Sequence, residues 1–263
     1  MVIIKKDVIF EPTTQLATDI YYPNETTSAT KILIFWHGGG WFRGDKQGVK
    51  ILGIDLANAG FMTFVPNYRL APQAVYPAAH HDATTFIKWL LASDYTDTDD
   101  IHNIVQIGAS VGGTMAIYLA GQYGFPTVTW SAPVSFASWI KEHPEVKPTP
   151  SGAAAGLTTR QAIADAFYKY FTLTYAGSTD ANTLSALDVS SYQLDKLGPL
   201  FMLNSLAELT PLPSVLTLIN ELAQNGHPAQ LLTIKGHGHA MDYGADYLDE
   251  SIDFLHQIIK RQA

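Results

Sequence analysis

Cysteine is absent from the 263-residue sequence, and this absence excludes several kinds of chemistry. The chain can have no disulfide, no thiolate nucleophile and no metal or cluster held by cysteine. Charge is scarce too: 15% of the residues are Asp, Glu, Lys or Arg, and the net charge is −8, with no basic cluster. Because basic residues are needed against phosphates, we expect no nucleic-acid partner.

Long apolar runs are also missing. No stretch reaches the roughly 18 apolar residues of a transmembrane helix, so we expect no membrane span. The first segment, from Met1 to Phe10, is interrupted by charged residues and lacks the apolar core of a signal peptide. We therefore expect a cytoplasmic protein.

The sequence does contain alternating strand-like and helix-like segments, and 47% of its residues are hydrophobic. The length suits one domain, and the alternation is typical of a mostly parallel sheet covered by helices. We predict a single α/β domain over residues 1–263, a three-layer α/β/α sandwich in which residues 2–22 form two antiparallel edge strands. The predicted parallel strands are Lys31–Trp36, Met62–Pro66, Ile104–Ile107, Thr127–Trp130, Pro199–Leu203 and Ala229–Ile234, and the helices lie near Val49–Asn58, Ala78–Ala92, Gly112–Gln122, Ser214–Asn225 and Tyr247–Arg261.

One segment, from about residue 135 to 198, interrupts the alternation. It contains no clear strand, is rich in Pro, Gly, Ala, Ser and Thr, and indicates a helix only at Arg160–Tyr175. A segment of this length between two core strands indicates an inserted cap rather than a plain loop. Its aromatic side chains are too numerous to be exposed on a soluble surface. They either cover the substrate pocket or form a small core within the cap.

The strongest local motif is Gly108-Ala109-Ser110-Val111-Gly112, which satisfies G-x-S-x-G. It lies where a buried strand is followed by a helix. A sharp strand–turn–helix corner of this kind raises a serine hydroxyl above the sheet edge, and glycines avoid clashes in the turn. The alternative is an ordinary glycine-rich turn. The context favours Ser110 as a nucleophile.

A second motif, His37-Gly38-Gly39-Gly40-Trp41, follows the first predicted parallel strand directly. Bare backbone N–H groups in such a loop can stabilise a developing oxyanion, and removal of one such donor costs about 3–4 kcal/mol. Together with the residue after the nucleophile, we predict an oxyanion hole formed by the N–H groups of Gly39, Gly40 and Val111. A merely flexible turn would not explain why the glycines follow a core strand.

The base and the acid should follow the nucleophile in the chain, the base last. His239 and His237 both lie in Gly236-His237-Gly238-His239, and we favour His239 because it just precedes the final helix. Glu208 is the carboxylate between the last two predicted strands, with Asp242, Asp195 and Asp188 as alternatives. A metal site formed by His-x-His and His80-His81 is an alternative, but no carboxylate motif accompanies these histidines. We place His80 and His81 at a helix start, on its solvent side. We expect no metal and no cofactor.

These motifs, with Asn67-Tyr68-Arg69-Leu70-Ala71-Pro72 between them, resemble the esterase branch of the α/β-hydrolase fold. The chain looks similar to hormone-sensitive-lipase-like enzymes and to small acetyl-esterase and feruloyl-esterase-like proteins. The acid loop departs from that family, because Ser205-Leu206-Ala207-Glu208-Leu209 replaces a Gly-x-x-Asp-Pro-like loop. Tyr68, Arg69 and Asp82 are expected to have a structural role.

The resemblance and the motifs together predict a hydrolase of short-chain carboxylic esters with a Ser110–His239–Glu208 triad. We expect Trp41, Trp139 and Phe167 to contact a small-molecule ester substrate. A peptidase, an arylformamidase or a sugar deacetylase on the same scaffold is the alternative, since fold does not fix substrate. A binding protein without activity is a further alternative. The exposed face of the cap could pair two subunits in a homodimer.

Overall fold

The computed structural model describes residues 2–26, 30–96 and 103–262. Its strands form one eight-stranded sheet in the order β1-β2-β4-β3-β5-β6-β7-β8. Strands β3 to β8 are parallel, whereas β1 pairs antiparallel with β2 and β2 antiparallel with β4. The strands are β1 (Ile3–Glu11), β2 (Leu16–Tyr22), β3 (Ile32–Trp36), β4 (Met62–Pro66), β5 (Ile104–Ala109), β6 (Thr127–Trp130), β7 (Leu200–Ser205) and β8 (Ala229–Ile234).

Helices cover both faces of this sheet. They are α1 (Lys50–Asn58), α2 (Ala78–Leu91), α3 (Val111–Tyr123), α4 (Ala137–Glu142), α5 (Arg160–Ala176), α6 (Ala181–Leu187), α7 (Leu212–Gln224), α8 (Met241–Gly244) and α9 (Leu248–Gln262). Short 3₁₀ turns occupy Lys46–Val49 and Val189–Ser191. The predicted parallel strands and helices agree with these bounds to within one or two residues. The prediction of a three-layer α/β/α sandwich is confirmed.

The two faces of β3 show how the layers arise. Successive side chains of a strand point to opposite faces. Accordingly, Ile34 lies in the core under α2 and α3, and its neighbour Leu33 lies in the core under α1 and α9. All five residues of β3 are buried. This burial on both faces explains why the parallel strands are nearly continuous apolar runs.

The segment between β6 and β7 contains α4, α5 and α6 and, in the described structure, no strand. Thr159 caps α5, because its side chain accepts a hydrogen bond from the Ala162 N–H at 3.2 Å. The helix ends at Gly177, which has a φ of 64°. Of the two histidines at the start of α2, His81 is exposed, whereas His80 is buried among aromatic rings, which corrects the expected solvent position of His80.

No helix in the described parts of the chain combines the length and the apolar character that crossing a bilayer requires.

Candidate active site

Ser110 is the corner residue between β5 and α3. Its φ of 52° and ψ of −127° are unfavourable for a residue with a Cβ atom, and they direct the chain sharply from strand into helix. The corner is tight: a Cβ atom on Gly112 would lie 2.2 Å from the carbonyl oxygen of Trp36. The glycines of G-x-S-x-G are therefore required by close backbone approach, and the turn places Ser110 at the carboxyl edge of the sheet.

Three predicted site residues meet at this edge. The Oγ atom of Ser110 lies 2.9 Å from Nε2 of His239, and Nδ1 of His239 lies 2.5 Å from Oε2 of Glu208. A carboxylate can only accept, so Nδ1–H donates to Glu208 and the lone pair of Nε2 faces the Ser110 hydroxyl. This arrangement lets the imidazole take a proton from the serine while the carboxylate holds its orientation.

The Glu208 side chain is fully buried, and backbone and hydroxyl groups satisfy its second oxygen. Oε1 accepts hydrogen bonds from the Ser205 N–H at 2.7 Å and from the Ser131 hydroxyl at 2.8 Å. Such donors stabilise a carboxylate that has lost its contact with water. Sequence reasoning missed Ser131, which follows β6 and belongs to no recognisable motif.

The alternative acids lie elsewhere. Asp242 is exposed and accepts from the backbone N–H of His239 at 2.9 Å, so it shapes the histidine loop without contacting the ring. Asp188 accepts from the backbone N–H groups of Phe136 and Ala137 at the start of α4. Asp195 lines a polar cleft beside α7. The alternative base, His237, is exposed and lines a neighbouring cavity.

The predicted oxyanion loop lies against the Ser110 corner. A Cβ atom on Gly38 would be 3.1 Å from the Cβ of Ser110, so the two segments touch. Gly39 has a φ of 117°, and a side chain there would lie 2.0 Å from the Arg43 carbonyl oxygen. Within the described residues, no protein acceptor pairs with the N–H groups of Gly39, Gly40 or Val111. These three N–H groups remain available to an oxyanion.

Side chains from other segments hold this loop. Tyr68 donates to the His37 carbonyl oxygen at 2.8 Å and stacks on the His37 ring, with ring centroids 4.3 Å apart. Burial lowers the pKa of His37, which keeps that ring neutral near pH 7. Farther along, the buried amine of Lys46 lies 2.9 Å from the buried carboxylate of Asp19 on β2. The loop is thus anchored to the sheet on its far side.

A salt bridge between Arg69 and Asp82 joins the segment that follows β4 to helix α2. The Arg69 guanidinium lies 2.6 Å from Asp82, which also accepts from the backbone N–H of Arg69 at 2.8 Å. This geometry agrees with a structural role for the pair.

A cavity of about 420 Å³ opens above Ser110 and His239. Its walls come from the oxyanion loop, from Phe167 and Phe171 of α5, and from Leu209. A second cavity of about 400 Å³ lies beside it and shares Phe167, Leu209 and His239 as a common wall. The inserted segment therefore contributes directly to the space around the nucleophile.

The expected substrate contacts separate into two groups. Phe167 lines both cavities, as described above. Trp41 is fully buried and stacks on Tyr175, with ring centroids 4.4 Å apart. Trp139 is buried against Tyr168, with ring centroids 4.7 Å apart. Neither tryptophan lines the cavity at Ser110. Both rings instead pack against aromatic rings of the insertion, and of the three expected contacts the described structure brings Phe167 to the cavity.

Solved structures of esterases share this architecture. Esterase B from Lactobacillus rhamnosis matches with a TM-score of 0.73 and 19% identity over 99% of this chain and 87% of that one. An esterase/lipase from an uncultured bacterium matches with a TM-score of 0.69 and 18% identity over 98% of this chain and 83% of that one. In sequence, residues 18–127 match the family model BD-FAE. The chain has the α/β-hydrolase fold, and it is similar to esterases of that fold.

Curated relatives match the chain over a shorter region. Tuliposide A-converting enzyme 2 of Tulipa gesneriana is 29% identical over 129 residues, which cover 44% of this chain and 34% of the relative. Ethyl acetate hydrolase of Pseudomonas putida is 34% identical over 110 residues, 41% of this chain and 35% of the relative. The matched region thus spans about a third of each relative's length. The range that matches BD-FAE includes the predicted oxyanion loop and the Ser110 corner.

Proposed function

We propose that this α/β-hydrolase cleaves carboxylic esters with short acyl groups, using Ser110 as nucleophile, His239 as base and Glu208 as acid. The observation that carries the proposal is the continuous chain of contacts from the Ser110 hydroxyl through both ring nitrogens of His239 to the buried Glu208. The similarity to ethyl acetate hydrolase and to esterase structures supports the ester class.

In the proposed acylation step, Ser110 Oγ attacks the ester carbonyl carbon while His239 Nε2 takes the hydroxyl proton. The carbonyl oxygen becomes an oxyanion, which the N–H groups of Gly39, Gly40 and Val111 would receive. The tetrahedral intermediate then collapses. The bond to the alcohol oxygen breaks, and the proton on Nε2 passes to that leaving oxygen.

Deacylation repeats the sequence with water. His239 Nε2 takes a proton from a water molecule, whose oxygen attacks the acyl carbon, and the same N–H groups receive the second oxyanion. The bond to Ser110 Oγ breaks, Oγ regains the proton from Nε2, and the carboxylic acid leaves. In both steps Glu208 stabilises the imidazolium that forms and keeps Nε2 directed at the reacting oxygen.

The short acyl preference rests on the size of the cavity. A volume of about 420 Å³ lies near the lower end of the range for small-molecule sites, roughly 300–1,000 Å³. Phe167 and Leu209 close the side toward the second cavity. A long acyl chain would have to displace one of these side chains.

Replacement of the nucleophile tests this function. Ser110→Ala should lower kcat/KM for p-nitrophenyl acetate and butyrate by about 10³-fold or more, because no other group can form the acyl-enzyme. A fluorophosphonate should label Ser110 in the wild type, as located by peptide mass spectrometry. A peptide and a formamide substrate, assayed in parallel, measure the alternative hydrolase activities. Labelling at Ser131 or Ser190 with Ser110 untouched would contradict the proposal.

A further inference from the structure

Ser131 lies at the carboxyl end of β6, one strand away from the Ser110 corner. It is completely buried and has a φ of 54°, a conformation that a residue with a side chain rarely adopts. Such strain persists only where the surroundings hold the residue in place. The polar groups of Ser131 show what holds it.

The backbone of Ser131 is bonded to the acid loop and its strand. Its N–H donates to the Leu203 carbonyl oxygen at 2.8 Å, and its carbonyl oxygen accepts from the Thr210 hydroxyl at 2.8 Å. Leu203 belongs to β7, and Thr210 ends the loop that carries Glu208. These bonds fix the position of Ser131 relative to the acid.

The hydroxyl of Ser131 reaches both halves of the proposed acid–base pair. It donates to Oε1 of Glu208 at 2.8 Å and accepts from the backbone N–H of Ala240 at 2.8 Å. Ala240 follows His239 directly and has a φ of 50°. The same hydroxyl therefore contacts the acid itself and the residue next to the base.

A third contact completes the coordination of this oxygen. The Tyr243 hydroxyl lies 2.8 Å from Ser131 Oγ and 2.8 Å from the Leu203 carbonyl oxygen. A carbonyl oxygen can only accept, so the single Tyr243 proton is directed to Leu203, while the single Ser131 proton is directed to Glu208. Burial raises the pKa of Tyr243, so its proton is retained. Ser131 Oγ thus donates one hydrogen bond, to Glu208, and accepts one, from the Ala240 N–H, while the Tyr243 hydroxyl oxygen lies against it.

We propose that Ser131 is a positioning residue for the ester hydrolysis proposed above: its hydroxyl holds the Glu208 carboxylate and the backbone of the histidine loop in one hydrogen-bonded unit. The proposal rests on the assignment of Glu208 and His239. Without this hydroxyl, Oε1 of Glu208 keeps only the Ser205 N–H, and the Ala240 N–H loses its acceptor. The carboxylate can then rotate, and Nε2 of His239 is no longer held toward Ser110.

Two variants, Ser131→Ala and Ser131→Gly, test this role. Both remove the hydroxyl, but glycine also relieves the positive φ, so a melting temperature higher for Ser131→Gly than for Ser131→Ala is expected. If the hydroxyl positions the acid, both variants should lower kcat for p-nitrophenyl butyrate by about 10- to 100-fold, with KM within about twofold. The rate of inactivation by a fluorophosphonate should fall in parallel.

Thr127→Val is the matched control. Thr127 is also fully buried on β6, and its hydroxyl is also hydrogen-bonded, with the Phe125 carbonyl oxygen and the Gln106 side chain as its partners. It begins the strand, whereas Ser131 follows the strand's last residue. Its loss should lower the melting temperature while leaving kcat within about threefold, because that end of the sheet is remote from the reaction.

A spectroscopic measurement separates this inference from the proposed activity. The Nδ1 proton of His239, bonded to Glu208, should give a far-downfield proton NMR resonance in the wild type and in Thr127→Val. It should move upfield or broaden in both Ser131 variants. If the wild type cleaves no ester, the proposed function fails while this resonance still reports on Ser131. The positioning role would be overturned if both Ser131 variants kept the resonance at its wild-type position and kept kcat within threefold of the wild-type value. It would also be overturned if Thr127→Val lost as much kcat as the Ser131 variants.

Discussion

Backbone strain in the described part of the chain is concentrated around the proposed nucleophile. Six residues other than glycine have a positive φ, and four of them follow strands at the carboxyl edge of the sheet: Trp41, Ser110, Ser131 and Ala240. Each such conformation costs about 1–3 kcal/mol and persists where the surrounding structure enforces it. The loops at this edge therefore lower the free energy of unfolding while they fix the positions of side chains and N–H groups. Such local strain is typical of functional sites.

At the scale of single residues, the acid is tested by a pair of isosteric changes. Glu208→Gln should lower kcat by about 10³- to 10⁴-fold, because an amide cannot stabilise the imidazolium and favours the wrong tautomer. KM for p-nitrophenyl butyrate should change little. Steady-state kinetics and thermal unfolding, measured together, separate the catalytic loss from a loss of fold.

Asp242→Asn is the control for that experiment. Asp242 lies as close to His239 in the chain as any carboxylate, but it contacts only the backbone N–H. Its amide variant should keep kcat within about threefold. A large loss in Asp242→Asn, with Glu208→Gln nearly as active as the wild type, would assign the acid to Asp242 instead.

The sequence identifies site residues to different degrees, for physical reasons. Ser110 is marked by glycines that close backbone contacts require, and Glu208 by its place between two strands. Ser131 has no such mark, because its role depends on three partners that lie far away in the chain. Trp41 and Trp139 have no distinguishing mark either, because aromatic rings suit both a pocket and a core, and composition does not separate the two.

At the scale of the elements, α2 holds the inserted segment against the sheet through His80. Its Nδ1 lies 2.9 Å from the Tyr175 hydroxyl on α5, and its Nε2 lies 3.1 Å from the Tyr192 hydroxyl. Both partners belong to the segment between β6 and β7. Burial, with a smaller contribution from His81, lowers the pKa of His80 to about 3. The ring is therefore neutral when it joins these elements.

This lowered pKa predicts a pH dependence of stability. The unfolded chain binds a proton at His80 below a pKa of about 6.5, whereas the folded chain does so only near 3. The contribution of His80 is thus fully present above pH 6.5 and is lost as the pH falls. The free energy of unfolding should decrease by about 1.4 kcal/mol per pH unit from this residue alone. Urea unfolding at pH 7, 6, 5 and 4 measures the slope.

His80→Phe should make that slope shallower by about 1.4 kcal/mol per pH unit, the effect of one proton. The variant should also be less stable at pH 7, because the Tyr175 and Tyr192 hydroxyls each lose a hydrogen bond to the ring. His81→Phe is the matched control, since His81 is the exposed neighbour on the same helix. Its slope should equal that of the wild type. Equal slopes for all three proteins would show that His80 does not govern acid stability.

Strand patterns were predicted well because burial on both faces leaves continuous apolar runs, as in β3 and β5. The insertion was predicted less completely: α5 is long and periodic, but α4 and α6 have only six and seven residues. Helices this short depend on tertiary contacts for stability, so local sequence does not reveal them. One example is the contact of Asp188 with the first N–H groups of α4.

At the scale of the whole molecule, the parallel sheet explains how distant residues meet. The carboxyl ends of β3, β5, β6, β7 and β8 lie at one edge of the sheet. The segments that follow these strands contain, in chain order, the predicted oxyanion loop, Ser110, Ser131, Glu208 and His239. The insertion leaves this same edge after β6, which is why α5 reaches the nucleophile. The sheet edge positions the proposed reacting groups, and the insertion forms part of the cavity wall.

This division predicts that one phenylalanine limits substrate length. Phe167 is half-buried and separates the cavity at Ser110 from the neighbouring one of similar volume. Phe167→Ala should join the two spaces. We expect kcat/KM for p-nitrophenyl esters of the wild type to fall steeply beyond about six acyl carbons, and the variant to accept ten carbons at close to its rate for four. A series from two to twelve carbons measures the profile.

Trp139→Phe controls for changes in the packing of the insertion. Trp139 is buried on the adjacent helix α4, stacks on His143 with ring centroids 4.2 Å apart and does not line either cavity at His239. Its smaller replacement should lower the melting temperature and leave the chain-length profile unchanged, because a void in that core does not connect with the space at Ser110. If both variants extend the profile equally, general loosening of the insertion sets the limit. If the wild type already cleaves ten-carbon esters as fast as acetate, Phe167 is not a barrier, and the acyl chain leaves the cavity by another side.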